Sequence, residues 1–221
     1  MTVERSGLDE NRQVIREEIL SMGEKAGRAL LEVIEALDHL DPERARAIID
    51  ADKDFNQCNE SIHEECLTLI ARQQPMASDL REIVSGLQVA VELERIADHV
   101  ADIARIAQKL KPEAIPPLWD EIRRIAEHCN EMLAKMMGAF QDRDPVQARV
   151  IASRDDEIDR MHDLVTGNTI EFMQTHSNAV INGTRVIWIT HHLERIGDRI
   201  TNIGEHILFA ISGETEDWNR S

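Results

Sequence analysis

The chain repeats itself. Asp41-Pro42 opens one segment and Asp144-Pro145 opens another, 103 positions later (41 to 144). At that offset Ala45 pairs with Ala148, Arg46 with Arg149, Ile48 with Ile151, Asp52 with Asp155 and Asn56 with Asp159. Going backwards, Ile15, Ile19, Met22, Ala26, Ala29, Val33 and Leu37 pair with Leu118, Ile122, Ile125, Cys129, Met132, Met136 and Phe140. Both sets advance by steps of three and four, the apolar stripe of a helix packed in a bundle. Further along the offset becomes 100 (93 to 193). Leu93-Glu94-Arg95-Ile96 matches Leu193-Glu194-Arg195-Ile196, Asp98 matches Asp198 and Ile103 matches Ile203. A match kept in order over three helical stretches means two copies of one folding unit.

The breakers fix where each helix ends. Asp41 and Asp144 are good N-caps, each followed by Pro at the first helical position. Gln74-Pro75-Met76-Ala77-Ser78 separates the second and third helices, and Thr175-His176-Ser177-Asn178 stands in the same place in the second copy. Lys111-Pro112 through Pro116-Pro117 links the copies. Helices are expected near 9–39, 42–73, 77–110, 117–141, 145–175 and 179–212. Tyr is absent, and only 10 Gly and 6 Pro interrupt the chain, against the aromatic and turn-rich pattern of sheets. The expected fold is all-α: two tandem, pseudo-symmetric three-helix bundles, 8–111 and 112–213, each running up-down-up through short connections.

A formal net charge of -17 argues against nucleic acid and anionic lipid as partners, because both need Lys and Arg clusters. It favours cations and basic protein surfaces. The three cysteines, Cys58, Cys66 and Cys129, form no CxxC, so a reducing compartment is the simpler reading. No signal-peptide pattern and no run of ~20 apolar residues occurs. A cytoplasmic protein with no membrane insertion is expected.

Within this frame the carboxylates carry the chemistry. Glu94, Asp98 and Asp102 advance by four, so successive side chains lie about 40° apart around one helix. They form an acidic stripe bordering the apolar face of Leu93, Ile96, Val100 and Ile103. The second copy repeats it as Glu194, Asp198 and Asn202, with Glu205 just beyond. The preceding helices add Asp52 with Asn56, and Asp155 with Asp159. Two antiparallel helices that each present such a pair can converge on one set of oxygen ligands. Like charges at this spacing repel by a few tenths of a kcal/mol, which multivalent cations relieve. Oxygen-rich sets suit Mg²⁺, Mn²⁺, Ca²⁺ or iron. The bland alternative is a solvated acidic face paired with Arg95, Arg195 and Arg199.

Other candidates are weaker. Glu60 and His63 form an ExxH, but the second copy has Asp163 and Thr166 in register, so a surface pair is expected. His191 and His192 point to different faces; one can join the second acidic set, although solvated rings are the simpler expectation. Cys58 and Cys66 read as core or boundary residues. No nucleophile–base pairing, P-loop or zinc ligand set appears, so no catalytic residue is assigned.

The segments PMASDLREI (Pro75 to Ile83), ELERIADHVADIA (Glu92 to Ala104) and HLERIGDRITNIGEHI (His192 to Ile207) closely resemble the PhoU family. The resemblance runs from about Leu8 to Ser212. It implies a non-enzymatic accessory of phosphate uptake that couples the phosphate ABC transporter, through its ATPase subunit, to a sensor histidine kinase as a negative regulator of phosphate-starvation genes. It also implies multinuclear clusters of iron or zinc, with Mg or Mn as alternatives. These would sit on Glu94 and Asp98 with Asp52 and Asn56, and on Glu194 and Asp198 with Asp155 and Asp159; Asp102 would assist the first cluster. Asn56 and Asn202 depart from a fully acidic pattern, and a carbonyl there supplies a ligand but no charge. Arg81 matches the family's turn motif and is a candidate for partner contact. Exposed bundle faces make a homodimer the expected state, peripheral to the inner membrane through its partners. The competing class is a carboxylate-bundle protein that binds metal or handles iron; it lacks paired ExxH motifs.

Overall fold

The computed structural model describes residues 2–112 and 116–218, so part of the expected linker, residues 113–115, lies outside the described residues. The described residues form seven α-helices, α1 (Thr2–Asp38), α2 (Pro42–Gln73), α3 (Ala77–Ala107), α4 (Trp119–Asp142), α5 (Pro145–Ala152), α6 (Asp155–Thr175) and α7 (Val180–Ser212), with a 3₁₀ turn at Ser177–Ala179. Among the described residues there is no strand, and no helix is long and apolar enough to cross a membrane.

The two Asp-Pro starts behave alike. Asp41 Oδ1 accepts from the backbone N–H of Glu43 and Arg44, and Asp144 Oδ1 from Val146 and Gln147, each at 3.0 Å. Two otherwise orphaned amides are satisfied at each helix start. The copies then diverge. Where one helix was expected over 145–175, the chain turns at Ser153-Arg154, giving α5 and α6. There Ser153 Oγ donates to Val150 O at 2.8 Å, and Arg154 N and Glu157 N donate to carbonyls only three residues back. A hydroxyl competing for a helix carbonyl, followed by i→i+3 bonds, is a local 3₁₀ tightening. The equivalent Asp50-Ala51 lies within an uninterrupted α2.

Each bundle buries the stripe read from the sequence. Ile19, Met22, Ala26, Val33 and Leu37 are at most 1% exposed, as are Ile122, Ile125, Cys129, Met132 and Met136. Helices α1, α3, α4 and α7 form the centre; α2 packs outside on α1 and α3, and α5 and α6 pack outside on α4 and α7. The bundles meet through α1 on α4 and, most extensively, α3 on α7. Gly23 permits the first approach, because a Cβ there would lie 2.8 Å from Met137 Cγ. Helices α3 and α7 run antiparallel: Arg81 near the start of α3 lies against Gly213 just past the end of α7, while Lys111, beyond α3, meets Asn182 near the start of α7.

Candidate metal centres

Each bundle gathers carboxylates where its second and third helices border the core. In the first, Asp52 of α2 faces Glu94 and Asp98 of α3. Burial, and then the charge of Asp98, raise the carboxyls of Asp52 and Glu94 above their ordinary range; Arg105 and Arg95 pull back. In the second, Asp155 and Asp159 of α6 face Glu194 and Asp198 of α7 around a cavity of about 470 Å³ that Arg149 and Trp218 also line. Burial, then Asp198, Asp159 and Glu194, push Asp155 up to about 7. The carboxyls of Asp159, Glu194 and Asp198 are raised too, in each case chiefly by burial. The side chains of Asp52, Glu94, Glu194 and Asp198 are only 15–20% exposed, so these are not solvated helix faces.

The arginines expected to neutralise the stripe do so unevenly. Arg105 reaches Asp52 at 3.7 Å and Arg195 reaches Asp198 at 2.8 Å. In the second cluster Asp155 Oδ1 and Glu194 Oε2 are nonetheless buried without a hydrogen-bond partner among the described residues. His191 Nδ1 lies 3.4 Å from Glu194 Oε2, outside hydrogen-bond geometry. Gly197 makes this packing possible: a Cβ there would collide with Asp155 Oδ1 and lie 2.9 Å from Ile158 Cδ1. The first bundle has Ala97 in that place. Buried carboxylates with orphaned oxygens on facing helices are the donor chemistry that a multivalent cation fits.

Three expected oxygen donors stand apart. Asn56 is exposed, and its amide donates back to Asp52 O at 3.3 Å. Asp102 binds Arg105 at 2.6 Å and turns toward His192 across the bundle seam. Asn202 donates to Glu92 Oε2 at 3.3 Å, also across the seam. The slow drift of residues four apart around a helix explains Asp102 and Asn202: two steps on from Glu94 or Glu194 the stripe has rotated from the outer helix to the neighbouring bundle. Arg81 packs against Gly213, which ends α7 with φ +76°, so its cation sits beside the helix C-terminus, where the dipole favours positive charge. Glu60 is exposed, and Cys66 and Cys129 are buried, with burial pushing the Cys66 thiol up to about 11.

Sequence reasoning passed over two groups. His162, one turn beyond Asp159, has a buried Nδ1 without a hydrogen-bond partner among the described residues, and its ring lies 6.3 Å from that of His191. Asn59 occupies the same place in α2, and its buried Oδ1 also lacks a partner. An i, i+3 spacing from the acidic pair was the available signal. The second group is the seam itself. Glu92 is buried and accepts from Arg199 at 3.4 Å and Asn202 at 3.3 Å, with His206 at 3.9 Å. Burial opposes its ionisation, but His206, Asn202 and Arg199 outweigh that and hold its carboxyl below the usual range. Burial and the neighbouring His192 lower His99 to about 4, and burial lowers His192 as well, so His192 is not the solvated imidazole expected of it.

The PhoU domain model matches residues 19–107 and 122–207. The chain is 35% identical over 196 residues to the phosphate-specific transport system accessory protein PhoU homolog of Streptococcus pneumoniae serotype 4 (strain ATCC BAA-334 / TIGR4), covering 89% of each chain. It is 30% identical over 200 residues to the phosphate-specific transport system accessory protein PhoU of Escherichia coli (strain K12), covering 90% of this chain and 83% of that protein. Among solved structures, the phosphate transport system regulatory protein PhoU from Streptococcus pneumoniae superposes with a TM-score of 0.90 at 30% identity, covering 95% of this chain and 99% of that one.

Proposed function

The chain belongs to the PhoU family, and on that premise we propose that it is a non-enzymatic accessory and regulator of phosphate uptake. It couples a phosphate ABC transporter to a sensor histidine kinase and keeps phosphate-starvation genes off when phosphate is plentiful. The relatives' names as phosphate transport accessory or regulatory proteins support the transport role. The observation that carries the reading within this molecule is the pair of buried carboxylate clusters at equivalent places in two otherwise ordinary bundles.

Asp52, Glu94 and Asp98 would hold one metal cluster, and Asp155, Asp159, Glu194 and Asp198 the other, with His162 and His191 at the rim of the second. A bound multivalent cation supplies positive charge that cancels the repulsion between the facing helices. The donor set suits iron, and the imidazoles at the second site also suit zinc. The clusters then act as cross-links between the outer and central helices, and a ligand that binds only the folded chain stabilises it. The acidic exterior docks on basic surfaces of the transporter's ATPase subunit and of the kinase, at the cytoplasmic face of the inner membrane.

The test is deletion of the gene in its host with a phosphate-starvation reporter read in phosphate-rich medium. We expect the reporter to switch on and to return to baseline with the wild-type gene. An unchanged reporter, with no second copy of the gene in the genome, overturns the negative-regulator reading. The orphaned Asp155 and Glu194 oxygens also favour a second reading, metal handling. Iron oxidation above a free-iron control would support it.

A further inference from the structure

The seam between the bundles has two ends related by the repeat, and they are built from different residues. At one end Glu92 of α3 faces Arg199 and Asn202 of α7, with His206 beyond. At the offset of 100, the residue matching Glu92 is His192, and those matching Arg199 and Asn202 are His99 and Asp102. The first end is a closed arrangement, a carboxylate met by a guanidinium, an amide and an imidazole. The second end sets two imidazoles against each other beside a carboxylate, with His99 in the place of Arg199.

We propose that this second end binds a single transition-metal dication of the zinc class, held by His99, Asp102 and His192, and that it clamps α3 to α7. His99 Nδ1 lies 3.2 Å from His192 Nδ1, and His192 Nδ1 lies 4.0 Å from Asp102 Oδ2. One donor atom from each residue falls within 4.8 Å of the other two. Four-coordinate zinc, with bonds of about 2.0–2.1 Å, sets its ligands roughly 3.3–3.5 Å apart, so shifts on the order of 1 Å admit the ion. Asp102 is divided in a useful way. Its Oδ1 accepts from Arg105 at 2.6 Å, which fixes the carboxylate and leaves Oδ2 on the side of the imidazoles. Arg199, the α7 residue that His99 matches in the repeat, is turned to Glu92. Three protein ligands leave a fourth position for water or a partner's side chain.

This site adjoins the first acidic cluster, with which it shares Arg105 through Asp102, but it differs from both clusters in its chemistry and in the helices it joins. Those join the outer to the central helix of one bundle through carboxylates; this one joins bundle to bundle through imidazole nitrogen, which selects zinc, nickel, copper or cobalt over magnesium or calcium. It therefore stands or falls independently of the metal clusters proposed above.

The test uses the untagged full chain, stripped with chelator, in a background that silences both acidic clusters: Glu94→Gln, Asp98→Asn, Glu194→Gln and Asp198→Asn. Zn²⁺ and Co²⁺ are the probes. We expect one ion per chain, a visible Co²⁺ spectrum with nitrogen ligands, and no response to Mg²⁺. Binding of Cu²⁺ should quench Trp188, whose ring lies 6.3 Å from that of His192. His192→Gln or His99→Gln should weaken Zn²⁺ binding on the order of 100-fold or more. Asp102→Asn, which installs the residue found at the equivalent 202, should weaken it by a smaller factor while leaving the helical circular dichroism unchanged. Asp102 is 43% exposed, so this variant keeps the test open if a histidine variant fails to fold. Absence of stoichiometric Zn²⁺ in the silenced background, or equal binding after both histidines are replaced, overturns the proposal and leaves His99 and His192 as a hydrogen-bonded pair.

Discussion

The two acidic clusters come from one duplicated pattern, yet they differ in how far the charge is left uncompensated. In the first bundle α2 runs unbroken past Asp52, Ala97 stands in the place of Gly197, and Arg105 reaches the carboxylate. In the second bundle the Ser153-Arg154 turn restarts the helix at Asp155, and Gly197 lets that carboxylate press against α7 with one oxygen unsatisfied. A missing Cβ, a two-residue turn and Asp159 in the place of Asn56 together give the second bundle four carboxylates, two of them with an orphaned oxygen. Repetition of a motif does not give repetition of its electrostatics, because burial and the nearest cation are set by neighbours outside the motif.

The strongest way to break this comparison is to remove ligands from each half. With metal content measured on untagged protein purified without chelator, Glu194→Gln/Asp198→Asn should lower affinity at the second site on the order of 100-fold or more. Glu94→Gln/Asp98→Asn should have the smaller effect, since fewer carboxylates converge there. Near-zero metal in the wild type and in both variants would sink the cluster assignment; equal losses would sink the ranking.

Acid titration of the metal-free chain sharpens it further. Asp155 is raised from 3.8 to about 7, so the folded chain holds that proton more tightly than the unfolded one. Its contribution is fully present below about pH 4 and is lost as pH rises through about 7. Asp155→Asn should therefore stabilise the protein at pH 8 by about 2 kcal/mol, after allowance for the solvent-facing side, and the gain should vanish by about pH 4. Asp52→Asn should show a smaller gain, because Arg105 offsets part of the burial. Urea melts across pH decide between these outcomes, and a pH-independent difference between wild type and Asp155→Asn would contradict the buried-cluster account.

The smallest effects test the glycine. Gly197→Ala gains about 1 kcal/mol of helix propensity but forces Asp155 and Ile158 aside, at about 1–3 kcal/mol. A net loss of up to about 2 kcal/mol is expected, together with loss of metal from the second site alone. Ala97→Gly should cost about 1 kcal/mol and leave the first site's metal in place. Thermal melts with parallel metal analysis read both.

The sequence alone determined the repeat, the helix class, the Asp-Pro helix starts and the apolar stripes, because each rests on local spacing and on caps that act within one turn. It also singled out Asp52, Glu94, Asp98, Asp155, Asp159, Glu194 and Asp198, because i, i+4 spacing places carboxylates on one helical face. What it could not rank was Asn56, Asp102 and Asn202. Their spacing is equally good, and only the packing of helices decides: α3 on α7 turns Asp102 and Asn202 to the seam, while the outward face of α2 leaves Asn56 in solvent. The same packing brings His99 to His192, 93 positions apart. Spacing along a helix fixes which residues share a face. Which face meets which, and whether a charge there finds a partner, is decided by the approach of another helix, and that is a property of the whole fold.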